Sequence, residues 1–259
     1  METLERASEP LVQVQNVSKV HGAGTDAVQA LSNVSFSQGE HEFVCVVGPS
    51  GCGKTTLLNL IAGFEQPTSG LVGFAGAPIS GPDARRAVVF QEHALFPWLT
   101  VRGNIQYGPK RRGIRGAELA AITERYVHLA GLTGFERKYP HQLSGGMRQR
   151  LGIVRALANS PKLLLMDEPF GSLDSLTRER MQDDLVLIWG DERKAIFFIT
   201  HSIEEALKLG DRVIVMSSRP GRIIREFRLE KARPRHAEDP EIADLASRIR
   251  QLLFDGSTV

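Results

Sequence analysis

Residues 48–55 read Gly48-Pro49-Ser50-Gly51-Cys52-Gly53-Lys54-Thr55, which fits the spacing G-x-x-x-x-G-K-[ST]. Glycines in such a loop let successive backbone N–H groups converge on phosphate oxygens. Lys54 would bring a cation to the outer phosphates, and the Thr55 hydroxyl, with Thr56 beside it, is suited to Mg2+. The competing reading is a chance glycine turn. By average composition about one chain in a hundred of this length would carry the string, and fewer would carry it between a buried strand and a helix. Binding of a nucleoside triphosphate is the expectation.

Three further constellations bear on the same chemistry. In "KLLLMDEPF" an apolar run ends in Asp167 and Glu168, and the C-terminal end of a parallel strand is where open α/β sheets bind ligands. Strand alternation would aim the two carboxylates differently, one towards Mg2+ and one towards an attacking water. Taken alone, such a pair is more often a helix cap or a surface turn; following a phosphate loop, it is expected to be catalytic. In "FITHS" an apolar run ends at His201, whose imidazole N–H can donate to a terminal phosphate. In "LSGGMRQR" Ser144 reads as an N-cap followed by Gly145 and Gly146, a second helix opening suited to an anion. The loop at Gly48 already cradles one triphosphate, so the economical solution is that the second opening faces the nucleotide of another copy.

The elements that must carry these residues are legible in outline. "LVQVQNV" alternates as a half-buried strand does. "FVCVV" reads as a buried strand running into the glycines, and "KTTLLNLIAGF" as a helix stopped at Gly63. "GLVGFAGAPI" and "RAVVFQ" are short strands, and residues 99–159 carry helical patterning. "KLLLMDEP", "AIFFITH" and "DRVIVMS" restore strands, with helices in "RERMQDDLVLIWGDER" and "SIEEALKLG". Alternation of apolar strands and helices predicts a parallel sheet covered on both faces. Near the end, Ile242, Leu245, Ala246, Ile249, Leu252 and Leu253 form a helical stripe, expected to pack on its own domain.

Bulk properties limit the remaining classes. The 259 residues are 42% hydrophobic and 24% charged, with 32 basic and 30 acidic side chains and a net charge of +2. That balance argues against a nucleic-acid binder with a broad basic surface. Two cysteines, Cys45 and Cys52, are too few for a disulfide framework, so a reduced intracellular protein is expected. Neither a signal-peptide run nor a stretch of about eighteen apolar residues occurs, so membrane association is expected through a partner.

In their order and spacing these motifs resemble the ATP-binding subunit of an ABC transporter, from about Leu11 to Arg222. "GPSGCGKTT" resembles the Walker A loop, "LSGGMRQR" the signature, "LLLMDEP" the Walker B strand, "GSLD" the D-loop and "THS" the switch-histidine loop, while Gln91 falls at the Q-loop. The resemblance implies an α/β P-loop NTPase fold with a parallel-sheet core, an antiparallel β subdomain and an inserted helical subdomain at about 92–160. The ATPase domain would span 11–218, after a flexible tail at 1–10 and before a C-terminal extension at 219–259 with an amphipathic helix. It also implies a homodimer sandwiching two ATP molecules. Glu168 would be the general base, His201 would hold the γ-phosphate and the water, and Gln91, Asp167 and Thr55 would complete the Mg2+ site. Ser144, Gly145 and Gly146 would close on the opposite nucleotide, with Asp174 communicating across the dimer. Two departures stand out: His21 occupies the usual adenine-stacking aromatic position, implying weaker or more pH-sensitive adenine binding, and Met147 replaces the commoner Gln of the signature.

"HALFPWLTV" gathers Phe96, Pro97, Trp98 and Leu99. Such a cluster is either core or an exposed groove for a membrane partner; the family receives a coupling helix of its permease after the Q-loop. "LFPWLTV", "MRQR", "FGSLDSLTR" and "RPGRI" resemble the nitrate, sulfonate and taurine importers of bacteria. That implies an ATPase peripheral to the cytoplasmic face of the inner or plasma membrane. Its partners would be transmembrane permease subunits and a periplasmic or lipid-anchored solute-binding protein, with no nucleic acid. Taurine or an aliphatic sulfonate is the expected solute, with nitrate, bicarbonate or a pyrimidine precursor as alternatives. A soluble ABC ATPase acting on DNA or ribosomes is the different-class alternative, but its usual second ATPase half or long coiled coil is missing; an exporter half would usually be fused to membrane helices.

Overall fold

A computed structural model describes residues 9–90, 94–171, 173–192 and 194–255. The chain divides into two compact units. One comprises residues up to 82 together with those from 201 onward, and the other spans 83–200. Most of the tail expected at 1–10 lies outside the described residues.

The first unit opens with an antiparallel sheet. Strand β1 (Val12–His21) pairs with β2 (Val28–Gln38) on one side. Val12 and Val14 are buried between exposed glutamines, and the next buried valine is Val17, three positions on. A bulge accounts for the lost alternation: the register shifts between Val14 and Val17, and Asn16 adopts φ 48°, a left-handed conformation that Asn tolerates. Strand β3 (Phe43–Val47) is buried at all five positions, as expected for a strand covered on both faces. Helix α1 (Lys54–Ala62) follows and stops at Gly63, whose φ of 83° gives a left-handed C-cap. On the other side of β1 lies β4 (Ser69–Phe74), joined to the short β5 (Ala77–Pro78), so the sheet order is β2-β1-β4-β5.

The second unit starts with β6 (Arg86–Val89). Three helices intervene before the next strand: α2 (Val101–Arg111), α3 (Gly116–Leu129) and α4 (Gly145–Leu157). They pack on one another, burying Ile105, Leu151, Ile153 and Val154. Thr100 caps α2 by accepting from the Gly103 N–H at 3.2 Å. Strand β7 (Leu163–Asp167), helix α5 (Ser175–Glu192) and strand β8 (Ala195–Thr200) complete the unit. Its strands β6, β7 and β8 run parallel in that order.

The chain then returns to the first unit with α6 (Ile203–Leu209), capped by Ser202 through the Glu205 N–H at 3.1 Å, and with β9 (Arg212–Met216), which is parallel to β3. Strand β10 (Ile223–Arg228) pairs antiparallel with β9, and the Arg212 guanidinium reaches Glu226 on it at 3.3 Å and Glu42 at 3.0 Å. Helix α7 (Pro240–Asp255) packs its stripe on α6 and β9 of the same unit, with Ile242, Leu245, Ala246 and Ile249 buried. No helix among the described residues is long and apolar enough to cross a membrane.

Candidate nucleotide site

The phosphate loop lies between β3 and α1 in the first unit. Gly53, the residue that opens α1, has φ 94°, and a Cβ there would stand 2.7 Å from the Ala30 carbonyl oxygen and from Leu31. Both conformation and space therefore require glycine. A glycine also supplies no capping side chain, so the first-turn N–H groups of α1 are left for an anion. Lys54 is only 6% exposed, and its ammonium donates to the carbonyls of Gly48 at 2.8 Å and Pro49 at 3.0 Å. These bonds satisfy a buried charge and fix the cation at the loop. Burial pushes the Cys52 thiol up, against the opposing pull of Lys54, so it is a neutral packing group rather than a nucleophile. Thr55 is exposed at the helix start.

His21, at the end of β1, stands at this loop: its Nε2 is 3.4 Å from the Thr56 hydroxyl and its Nδ1 3.7 Å from Glu65. Lys19 reaches the same Glu65 at 3.3 Å. An exposed imidazole is thus held beside the first turn of α1.

In the second unit, Asp167 closes β7 and pairs with Ile199 of β8. Glu168 has already left the strand, with φ 44°. Its N–H donates to the Ile199 carbonyl at 3.0 Å and its carbonyl accepts from Gly171 at 3.0 Å. Glu168 therefore lies past the end of the strand, in a left-handed turn, so strand alternation does not set where its side chain starts. Such a conformation in a residue with a side chain is uncommon and collects at functional sites. Strand β8 ends at Thr200, and the exposed His201 follows in the chain. Gln91 lies outside the described residues, as does Ser172 of the "GSLD" segment.

Ser144 caps α4 as its sequence suggests, accepting from the Met147 N–H at 3.3 Å. Asp174 stands before α5 and accepts from the Thr177 N–H at 3.0 Å, which holds its carboxyl below the ordinary range. The two helix openings meet, since a Cβ on Gly145 would touch Leu173 at 4.0 Å and one on Gly146 would touch Thr177 at 3.6 Å and Met181 at 3.7 Å. These are ordinary contact distances, so neither glycine is demanded by its own unit.

The loop before α2 resolves the two readings of its aromatic cluster. Trp98 is 70% exposed and Tyr107 44%, while Phe96 sits between them, with ring centroids 5.7 Å from Trp98 and 4.3 Å from Tyr107. This is an exposed aromatic ridge rather than core. It is held by Asn104, fully buried in α2, whose Oδ1 accepts from the Phe96 N–H at 2.9 Å. The Asn104 Nδ2 faces the carbonyls of Leu99 and Thr100 at 3.0 Å and of Phe96 at 3.2 Å. Sequence reasoning missed Asn104, a polar residue on the apolar side of a helix just after an aromatic loop.

The donor set fits a magnesium nucleotide. Phosphates would meet a helix opening and an ammonium. Mg2+ takes hydroxyl, carboxylate, water and phosphate oxygens rather than an all-protein cage, and the hydroxyl of Thr55 at the opening of α1 is of that kind. A buried strand, a glycine loop and a helix that opens on Lys-Thr define a P-loop nucleotide-binding protein.

Comparison with known proteins narrows that class. The ABC transporter family model matches residues 31–171. The chain is 45% identical over 244 residues to an uncharacterized ABC transporter ATP-binding protein of Methanocaldococcus jannaschii, covering 94% of this chain and 91% of the relative. It is 50% identical over 235 residues to a taurine import ATP-binding protein of Rhizobium johnstonii, covering 87% and 89%. A dimeric structure of an ATP-binding cassette in a post-hydrolysis state, bound to ADP and Pi, superposes with a TM-score of 0.71 at 34% identity, covering 85% of this chain and all of that one. The chain belongs to the ABC transporter family. It binds and hydrolyses ATP.

Proposed function

We propose that the chain is the ATPase subunit of an importer for taurine or a related aliphatic sulfonate, working as a homodimer on transmembrane permease subunits at the cytoplasmic face of the membrane, with a solute-binding protein delivering the solute. The observation that carries the dimer is the pair Gly145–Gly146. Both stand in the first turn of α4, and neither is needed for space or conformation inside its unit. The small residues therefore serve a close approach from outside, and a nucleotide held by a second copy's phosphate loop is the approach that suits a capped helix opening.

The roles follow from chemistry. The N–H groups of the loop and Lys54 orient the triphosphate, and His21 stacks on the base. Thr55, Asp167 and Gln91 would hold Mg2+, which would supply neutralising charge at the outer phosphates. Glu168 accepts a proton from the attacking water, and His201 donates to the terminal phosphate. Asp174 carries the state of one site to the other. The aromatic ridge at Phe96, Trp98 and Tyr107 receives the permease. The sulfonate assignment is supported by the 50% identity to a protein named for taurine import, because the ATPase itself does not touch the solute. The complex reconstituted with its permease and binding protein is expected to hydrolyse ATP several-fold faster with taurine than without; stimulation by nitrate or bicarbonate but not by taurine would overturn the assignment.

A further inference from the structure

The segment Ser217–Arg222, "SSRPGR", forms a wall of the phosphate loop. Its turn is closed on itself. The Ser217 N–H donates to the Arg222 carbonyl at 2.9 Å, and the Arg222 N–H donates to the Ser217 hydroxyl at 3.0 Å. It is also stitched to β2: the Gly221 N–H donates to the Ala30 carbonyl at 2.9 Å, and the Ser32 N–H donates to the Gly221 carbonyl at 3.0 Å. A Cβ on Gly221 would fall on the Cys52 carbonyl oxygen and stand 2.9 Å from the Met216 side chain. Backbone of this turn thus lies directly against backbone of the phosphate loop.

Arg219 extends from the turn over the loop. Its Nε donates to the Gly51 carbonyl at 3.4 Å, its one hydrogen bond among the described residues, and a Cβ on Gly51 would stand 3.2 Å from its terminal nitrogen. Gly51 has φ 75°, and the direction of its peptide decides whether a carbonyl or an N–H faces the anion. A carbonyl turned inward would repel a phosphate. A guanidinium that draws the carbonyl outward keeps the loop in its anion-binding form, and its charge adds attraction for phosphate.

We propose that Arg219 is a positioning residue for nucleotide binding: it holds the Gly51 peptide outward, from a turn whose Gly221 is packed on the loop at Cys52. The inference rests on the reading of residues 48–55 as the ATP-binding loop. Because Arg219 is exposed, replacing it is not expected to unfold the chain. The test is calorimetric titration of the full chain with MgADP, comparing wild type, Arg219→Gln and Arg219→Lys, with thermal melting of each and ATPase kinetics in the complex. Arg219→Gln is expected to weaken MgADP binding about three- to tenfold, the range for loss of one ordinary hydrogen bond, as suits an exposed contact of 3.4 Å. KM for ATP should rise by a similar factor, kcat should stay within twofold and melting should be unchanged, while Arg219→Lys recovers most of the affinity. Wild-type affinity and KM in Arg219→Gln, or a lowered melting point without a change in affinity, would overturn the proposal while leaving the ATPase reading intact. Failure of wild type to bind MgADP would overturn both.

Discussion

Glu168 combines a carboxylate at the end of a buried strand with a left-handed backbone, φ 44°, anchored by its N–H on Ile199 and its carbonyl on Gly171. The backbone fixes where the side chain starts; the carboxylate would supply the proposed base. Glu168→Gln preserves size and turn while removing the base, so MgATP binding should persist while kcat falls at least about 100-fold, within the usual range for a general base. Single-turnover ATPase on the purified chain checks this, and turnover within threefold of wild type would refute the role. Residues of this kind were legible from sequence because their chemistry needs contiguous strings: a glycine loop followed by Lys-Thr, or Asp-Glu after an apolar run. Arg219 and Asn104 were not read as site residues. Arg219 meets its partner Gly51 across 168 positions, and Asn104 in isolation is merely a polar helix residue. Asp174 was read only by resemblance, although Asp174 and Thr177 stand at the spacing of a helix cap.

At the scale of elements, strands buried on both faces, such as β3 and β7, announce themselves as unbroken apolar runs, and the end of α1 is marked by Gly63. Strand β10 escaped because "IIREFR" places Arg225, Glu226 and Arg228 on exposed positions and buries only Phe227; a single inward residue gives no period to detect. Its pairing with β9 is local, made by the hairpin turn at "SSRPGR". The aromatic loop shows the opposite case. Periodicity left its burial open, and the bonds to Asn104 decide it by holding the backbone so that Trp98 points outward. Trp98→Ala should change stability by no more than about 0.5 kcal/mol, as surface substitutions do, yet reduce copurification with the permease severalfold. Thermal melting and pull-down of the assembled complex measure the two effects, and unchanged assembly and transport would remove the ridge from the docking surface.

At the scale of the whole molecule, each unit carries part of the chemistry. One holds the phosphate loop, His21 and the "SSRPGR" wall, and the other holds Asp167, Glu168 and the Ser144 helix opening. The glycines of the signature stretch are not demanded by their own unit, and the proposed site therefore includes a second copy. Two lesions test this directly in mixed dimers built on Glu168→Gln, which should trap nucleotide. With Lys54→Ala on one copy and Ser144→Arg on the other, closure across the dimer puts both lesions in one composite site and leaves the second intact. With both lesions on the same copy, each site loses one half. One trapped nucleotide per dimer is expected in the first arrangement and none in the second; the reverse pattern, or identical loss in both, would rule out closure across the dimer.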